Sequence, residues 1–200
     1  MTADASAPGD DLPRLLALAA TGDDRAWRSI LDRYAPRVFA MARSRVRQPE
    51  LAEEITQSVF AKVAEKMMTG AYTDQGRFES WLFRVAMNRV RDEFRSRQRR
   101  PSESVENHTL DARPTPHEPS PPLDERPAEH DALRRAIEQL SDADRTVIEL
   151  RHHGGLGFKD IAAALDEPTG TVLARHHRAL KKLRSIIESM TQSSPQEQSI

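Results

Sequence analysis

The sequence predicts an all-α protein: two small helical domains joined by a flexible, acidic, proline-rich linker. Three observations carry that prediction. Apolar residues recur at three- and four-residue spacing through residues 12–100 and again through 131–190, and no stretch alternates strictly enough to mark a strand. Between the two, seven of the thirteen prolines fall from Pro101 to Pro127, among few large apolar side chains. Such a stretch cannot bury enough surface to repay its ordering entropy, so 101–130 reads as a linker. Residues 155–184, GLGFKDIAAALDEPTGTVLARHHRALKKLR, read as two helices with a tight turn between them.

Composition bounds the function. The 200 residues allow one or two domains, and only ten are aromatic, so the cores are expected to be small and built from Leu, Ile, Val and Ala. The absence of cysteine excludes a disulfide framework, a cysteine zinc site and a thiol switch. Net charge is −1, but it is laid out in blocks. Residues 84–100 hold seven arginines against two acids, 101–131 hold eight acids against two arginines, and 171–184 carry five cations and no acid. Separated blocks of this kind suggest two nucleic-acid-facing surfaces on an acidic tether. The opening MTADASAPGDD is acidic and lacks a basic-then-apolar leader, and no run approaches the roughly 18 apolar residues of a membrane span. The expected location is the cytoplasm.

Along the chain, residues 1–11 read as disordered. Residues 12–20 form a short apolar helix closed by Gly22. Asp23 or Asp24 caps the next helix, with Trp27, Ile30, Leu31, Tyr34, Val38, Met41 and Ala42 on one stripe and Pro36 expected to kink it. Gln48-Pro49-Glu50 separates it from a third helix over about 51–67, where Ile55, Val59, Val63 and Met67 recur every four residues. TGAYTDQGR (69–77) is a loop by composition. A fourth helix over about 79–97 begins as a core element, with Phe78, Trp81, Leu82, Val85 and Val90 at helical spacing. It ends as a cationic one, where Arg84, Arg91, Arg95, Arg97, Arg99 and Arg100 can follow a phosphate backbone. Asn88 and Arg89 sit midway, placed for base edges or sugars.

In the second unit Leu133, Ile137 and Leu140 mark a first helix. Ser141, with Asp144 three residues on, caps a helix carrying Val147, Ile148 and Leu150, which Gly154-Gly155 ends. Phe158, Ile161, Ala162 and Leu165 line one face of the next helix, and Asp166-Glu167-Pro168 breaks it. Thr169 is expected to cap the last helix, whose inner face would be Val172, Leu180, Leu183 and Ile187. A helix with one apolar and one cationic face behind a tight turn can enter a major groove. The tail from 189 reads as disordered.

These motifs resemble a known family. WLFRVAMNRVRDEFR (81–95) and LAEEITQSVFAKV (51–63) resemble region 2 of bacterial RNA polymerase sigma factors of the extracytoplasmic-function (ECF) group, and the 155–184 run resembles their region 4. The resemblance implies a region-2-like domain over 12–100 and a region-4-like domain over 131–188. It implies a sigma factor that binds core RNA polymerase and directs promoter recognition, −10 melting and initiation. Glu54 and Gln57, with Glu53 and Ser58 beside them, match positions gripping the clamp coiled coil of the polymerase's largest subunit; the family often has a further acid at Ser58. The 69–78 loop matches the element that receives a flipped −10 base, with Tyr72 the candidate to touch it and Trp81 assigned to the core. Asn88 and Arg89 match positions facing the melted strand, and Arg91 and Arg95 its flanking backbone. At the −35 duplex, Arg175 and Arg178 are the implied base contacts, with Thr171 and Ala174 near base edges and Lys181 and Lys182 near phosphates. The chain departs from the family pattern at Ala174 (usually Ser), Leu173 (commonly Lys) and Gly157 (usually Ser or Thr).

An anti-sigma partner is implied by the same resemblance. No catalytic constellation, cofactor motif or metal site is expected: His152-His153 and His176-His177 are adjacent pairs whose side chains diverge by about 100° on a helix. The rival reading is a helix-turn-helix regulator that binds duplex DNA without core polymerase.

Overall fold

Eight helices and no strand make up the described residues, 12–46, 48–99 and 127–192 of a computed structural model. They are α1 (Leu12–Ala20), α2 (Asp24–Arg45), α3 (Pro49–Met68), α4 (Phe78–Arg99), α5 (Pro127–Glu138), α6 (Asp142–His152), α7 (Phe158–Leu165) and α8 (Thr169–Gln192). The expected disorder of 1–11, the linker from 101 to 126 and the tail from 193 lie outside the described residues. α5 begins at Pro127 and α8 runs to Gln192, so both extend into stretches expected to be linker and tail.

The helix ends follow their chemistry. Asp23 caps α2, accepting from the Ala26 N–H at 2.8 Å, and the Trp27 indole N–H donates to the Ala19 carbonyl at 2.9 Å, fastening α1 to α2. Pro49 stands at the start of α3, where its missing N–H costs nothing. α2 stays helical through Pro36. Ser141 Oγ accepts from the Asp144 N–H at 3.2 Å, capping α6 as its spacing predicts. α7 ends at Asp166 in the left-handed region, φ 58°, which an aspartate tolerates better than most residues.

Three sequence expectations are corrected. Thr169 does not cap α8. It is the first helical residue, and the Pro168 carbonyl instead accepts from Thr171 and Val172 at 3.0 and 3.2 Å. Leu180 is 43 % exposed, because the inward line of α8 runs through Val172, Ala179 and Leu183, and a residue next to Ala179 is turned about 100° away. Leu31 is likewise turned outward beside the buried Ile30.

In the first unit Ile30, Tyr34, Val38, Ile55, Val59, Val63, Leu82 and Phe83 are fully buried between α2, α3 and α4. That core continues into the second unit through Val147, Leu150, Leu156, Ile161, Ala162, Ala164 and Val172. A smaller cluster of Ala136, Leu140, Ile148, Ala179 and Leu183 joins α5, α6 and α8. Two units that the sequence sets apart therefore pack against each other, chiefly through α4 and α7.

Leu183→Ala should lower the unfolding free energy by about 2–5 kcal/mol, and Leu180→Ala by less than about 1 kcal/mol. Urea unfolding of the two variants checks the inward line of α8; equal losses would contradict it.

Candidate nucleic-acid interface

The apolar period of α3 fixes its two faces. Ile55, Val59 and Val63 point inward, leaving Glu53, Glu54 and Gln57 exposed on the outer side. Ser58, half-buried at the edge, accepts from Arg89 Nε of α4 at 3.0 Å. Arg89 also meets Glu93 at 3.1 Å and Glu54 at 3.8 Å. It is thus a half-buried tie between α3 and α4. Asn88, one residue earlier, is exposed and lines an open groove of about 510 Å³ between α3 and α4 with Ser58, Lys62, Lys66, Val85 and Asp92. Of the residues expected to grip polymerase Ser58 lines this groove, and of those expected to meet the melted strand Asn88 and Arg89 do.

The cations of α4 divide into engaged and open. Arg84, expected to follow phosphates, instead donates to the carbonyls of Ala164 (3.0 Å) and Ala163. Those are among the last carbonyls of α7, left without intrahelical partners and at the negative end of the helix dipole, so a guanidinium suits them. Arg97 bonds Glu93 at 3.2 Å and Gln48 at 3.1 Å. Arg91, Arg95 and Arg99 are exposed. The Arg95–Asp92 pair, 3.8 Å apart with both side chains about two-thirds exposed, holds Arg95 only weakly. Arg100 lies outside the described residues.

Tyr72 is not a free loop side chain. Its ring stacks on Trp81 with centroids 3.8 Å apart and planes 15° from parallel, and its hydroxyl donates to Asp74 at 2.7 Å. Phe78 meets both Tyr72 and Tyr34 edge-on, so four aromatic side chains gather under the loop. Trp81 is half-buried, less enclosed than a core residue, because Tyr72 covers one of its faces while the other side of α4 fills the core. Both tyrosines resist ionisation. Burial first, then the Glu79 carboxylate, pushes Tyr34 up to about 12, and burial with the Asp74 bond pushes Tyr72 further.

On α8 the inward line of Val172, Ala179 and Leu183 leaves Thr171, Ala174, Arg178, Lys181 and Lys182 exposed on the outer side. Arg175 is half-buried, its Nη1 2.9 Å from Glu167 in the turn before the helix. The −35 set is thus one outward face, with Arg178 open and Arg175 already oriented by a carboxylate. The signal for Glu167 as a partner in the sequence is its place in the turn just ahead of α8. The two histidine pairs each give one member to a contact: His152 and His176 stack with centroids 5.8 Å apart, and Phe158 meets His176 edge-on. Burial, then His152, Arg151 and His177, lowers the pKa of His176, and burial lowers that of His153, so both favour the neutral form.

An acid–amide face beside an open groove, and a separate helix with one cationic face behind a tight turn, define a two-headed all-α protein of the helix-turn-helix kind. Comparison with known proteins makes this specific. Residues 30–100 match the family profile of sigma-70 region 2 and residues 130–183 that of sigma-70 region 4, together more than half of the chain. The RNA polymerase sigma-H factor of Pseudomonas aeruginosa is 27 % identical over 175 residues, 84 % of this chain and 90 % of that protein. The ECF sigma factor SigE of Mycolicibacterium smegmatis is 29 % identical over 184 residues, covering 90 % and 70 %. The ECF sigma-E factor of Escherichia coli K12 is 26 % identical over 175 residues, covering 84 % and 90 %. The fold matches that of CnrH, solved with the cytosolic domain of CnrY, at a TM-score of 0.68 and 23 % identity over 90 % of this chain and 99 % of that one. It also matches RpoE of Bartonella quintana, solved with the anti-sigma factor NepR, at a TM-score of 0.61 and 23 % identity over 82 % and 98 %. The chain belongs to the sigma-70 family as an RNA polymerase sigma factor of the ECF group, acting in transcription initiation.

Because the pKa of both tyrosines is raised in the fold, their contribution to stability is complete below the unfolded value near 10 and is lost as pH rises from there, through about 12 for Tyr34 and higher for Tyr72. Tyrosinate absorbance at about pH 10.5 should be near zero in the folded chain and more than half developed in urea. Equal titration in both states would contradict the stacked, buried arrangement.

Proposed function

We propose that the groove between α3 and α4 is where this sigma factor joins polymerase to melted promoter, and that α8 reads the −35 duplex. Glu53, Glu54, Gln57 and Ser58 grip the clamp of core polymerase; an acid–amide face suits a basic, arginine-bearing partner. Asn88 meets the unpaired strand, and Arg89, tied to Ser58 and Glu93, meets it at the groove's edge. Arg91 and Arg95 hold its backbone, and the loop 69–78 over the Tyr72–Trp81 stack receives an extruded base. Pulling a base from the stack costs a few kcal/mol, which a pocket and nearby cations offset. The single observation that carries this reading is that exposed Asn88 opens into the same groove that Ser58 edges, so one surface serves both partners.

On α8, Arg178 carries base recognition with Arg175 held by Glu167, Thr171 and Ala174 lie at base edges, and Lys181 and Lys182 meet phosphates. The domain boundaries proposed with this division are 12–100 and 131–188, with α5 beginning ahead of the second at Pro127 and α8 running past it to Gln192. The sigma family is generally non-catalytic; here nucleotide joining is assigned to the core enzyme. No described helix is long and apolar enough to cross a membrane, and we place the chain in the cytoplasm beside its polymerase. CnrH and RpoE were each solved with a bound protein, RpoE's being the anti-sigma factor NepR. By that likeness an anti-sigma protein is proposed here as well.

Transcription in vitro with purified core polymerase and a promoter library tests the reading. Promoter-specific transcripts should require the chain and be lost with Asn88→Ala. Duplex binding by the chain alone, with no transcript, would favour the regulator reading instead. Arg178→Ala should relax selection at one −35 base pair by about 1–3 kcal/mol, whereas Lys182→Ala should weaken all promoters alike and flatten the salt dependence. Reversed behaviour of the two variants would contradict the assignment on α8.

A further inference from the structure

Among residues 171–174, Leu173 alone points outward and has no role so far. Val172 is fully buried with α7 and sets the rotation of α8, so Leu173, about 100° further round, is held on the outer side. It is 45 % exposed, between the open Thr171 and Ala174. Exposure alone gives a leucine no function, since single apolar residues are common on protein surfaces. Its neighbours do. Of residues 170–174, Gly170 has no side chain, Val172 faces inward, Ala174 ends at its methyl, and only Thr171 carries a polar side-chain atom. The next cation, Arg175, is half-buried and held at 2.9 Å by Glu167. The first exposed guanidinium of α8 is that of Arg178, five residues and about 7.5 Å of helix beyond Leu173.

The backbone leaves room beside this leucine. A Cβ placed on Gly170 would meet nothing within 4 Å. Leu173 and Ala174, three and four residues on, are its neighbours on the helix surface, and helical side chains lean back toward the preceding turn. The three residues thus edge a shallow apolar notch. The early turns of a recognition helix are the ones that meet base edges in a major groove. Along those edges the bases offer donors and acceptors, and one apolar group, the C5-methyl of thymine. A leucine pressed on any other edge would cut a donor or acceptor off from water and return no bond, which costs free energy. Against a thymine methyl, both partners lose water and nothing polar is left unpaired.

We propose that Leu173 is a specificity-determining residue, which with Gly170 and Ala174 reads the methyl group of a thymine in the −35 element. This rests on the reading of α8 as the −35 helix. The two ends of the recognition surface then select by different chemistry. Arg178 selects through hydrogen bonds, and Leu173 selects through an apolar contact that a hydrogen-bonding edge cannot satisfy. Leu180 lies seven residues further along, about 10.5 Å down the helix, and is outside the notch although it is about as exposed.

The test uses promoters selected from a library by core polymerase carrying this chain. The −35 thymines of a selected promoter are replaced one at a time by deoxyuridine, which removes a methyl group and leaves every hydrogen bond in place. One replacement should weaken promoter binding by about fourfold, the worth of one buried methyl group. With Leu173→Ala, which shortens the reader, and with Gly170→Ala, which fills the notch, the thymine and deoxyuridine promoters should bind alike. Leu180→Ala should keep the parental difference. Selected promoters without a fixed −35 thymine, or deoxyuridine replacements that all bind as well as thymine, would overturn the proposal. So would a thymine preference that Leu173→Ala leaves at its parental value. If the unaltered chain supports no promoter-specific transcription, it is the functional reading that fails, and the two failures are distinguished.

Discussion

Helix α4 has to serve two cores and an open groove with 22 residues, and the rest of the structure is arranged around that demand. Its first half is buried on two sides. Leu82, Phe83, Ala86 and Met87 are almost wholly enclosed, and α7 lies against it as well as α2 and α3. That leaves a narrow strip, bearing Val85, Asn88, Arg89 and Asp92, which opens into the groove beside α3. Only past Val90 does the helix stand clear of the core, and there its open cations gather. A residue moved by one position on this helix turns about 100°, from core to groove or from groove to partner domain. The adjacent pair Asn88 and Arg89 shows the consequence: one side chain is open to the groove and the other is built into the α3–α4 contact.

Much of the fold was legible in the sequence because its signals are local. Asp23 and Ser141 announce their caps, the four-residue spacing of Ile55, Val59 and Val63 announces the buried side of α3, and Asp166-Glu167-Pro168 announces the break before α8. Legibility falls where two local rules compete. Leu180 is apolar on a helix with an apolar face, yet the face runs through Ala179 instead, since α5 and α6 approach closely enough that the small residue fits the inward line. Thr169 is a good capping residue that the helix absorbed, because the Pro168 carbonyl already serves the first donors.

The site was legible in its composition and less so in its wiring. That the α3 face, the second half of α4 and α8 carry the polar and cationic residues follows from the sequence. Which cations are open does not, because pairing depends on elements far apart in the chain. Arg84 is taken by carbonyls some eighty residues away, Arg89 by Ser58 of α3, and Arg175 by a carboxylate in the turn ahead of its helix. Tyr72 and Trp81 read oppositely in the sequence, as exposed and buried, and meet halfway as a stacked pair. The charge network between the two units, where Glu149 of α6 meets Arg145 of its own helix and Ser44 and Arg45 of α2, had no sequence signal at all: these residues sit on helices whose own periodicities explain them as ordinary surface residues.

The proposed role of the α3–α4 groove is tested most directly by the permanganate reactivity of unpaired promoter thymines. With core polymerase and this sigma factor, thymines near −10 should become reactive, and Asn88→Ala should abolish that reactivity while binding to core polymerase is kept. Reactivity unchanged by Asn88→Ala would contradict the proposed role.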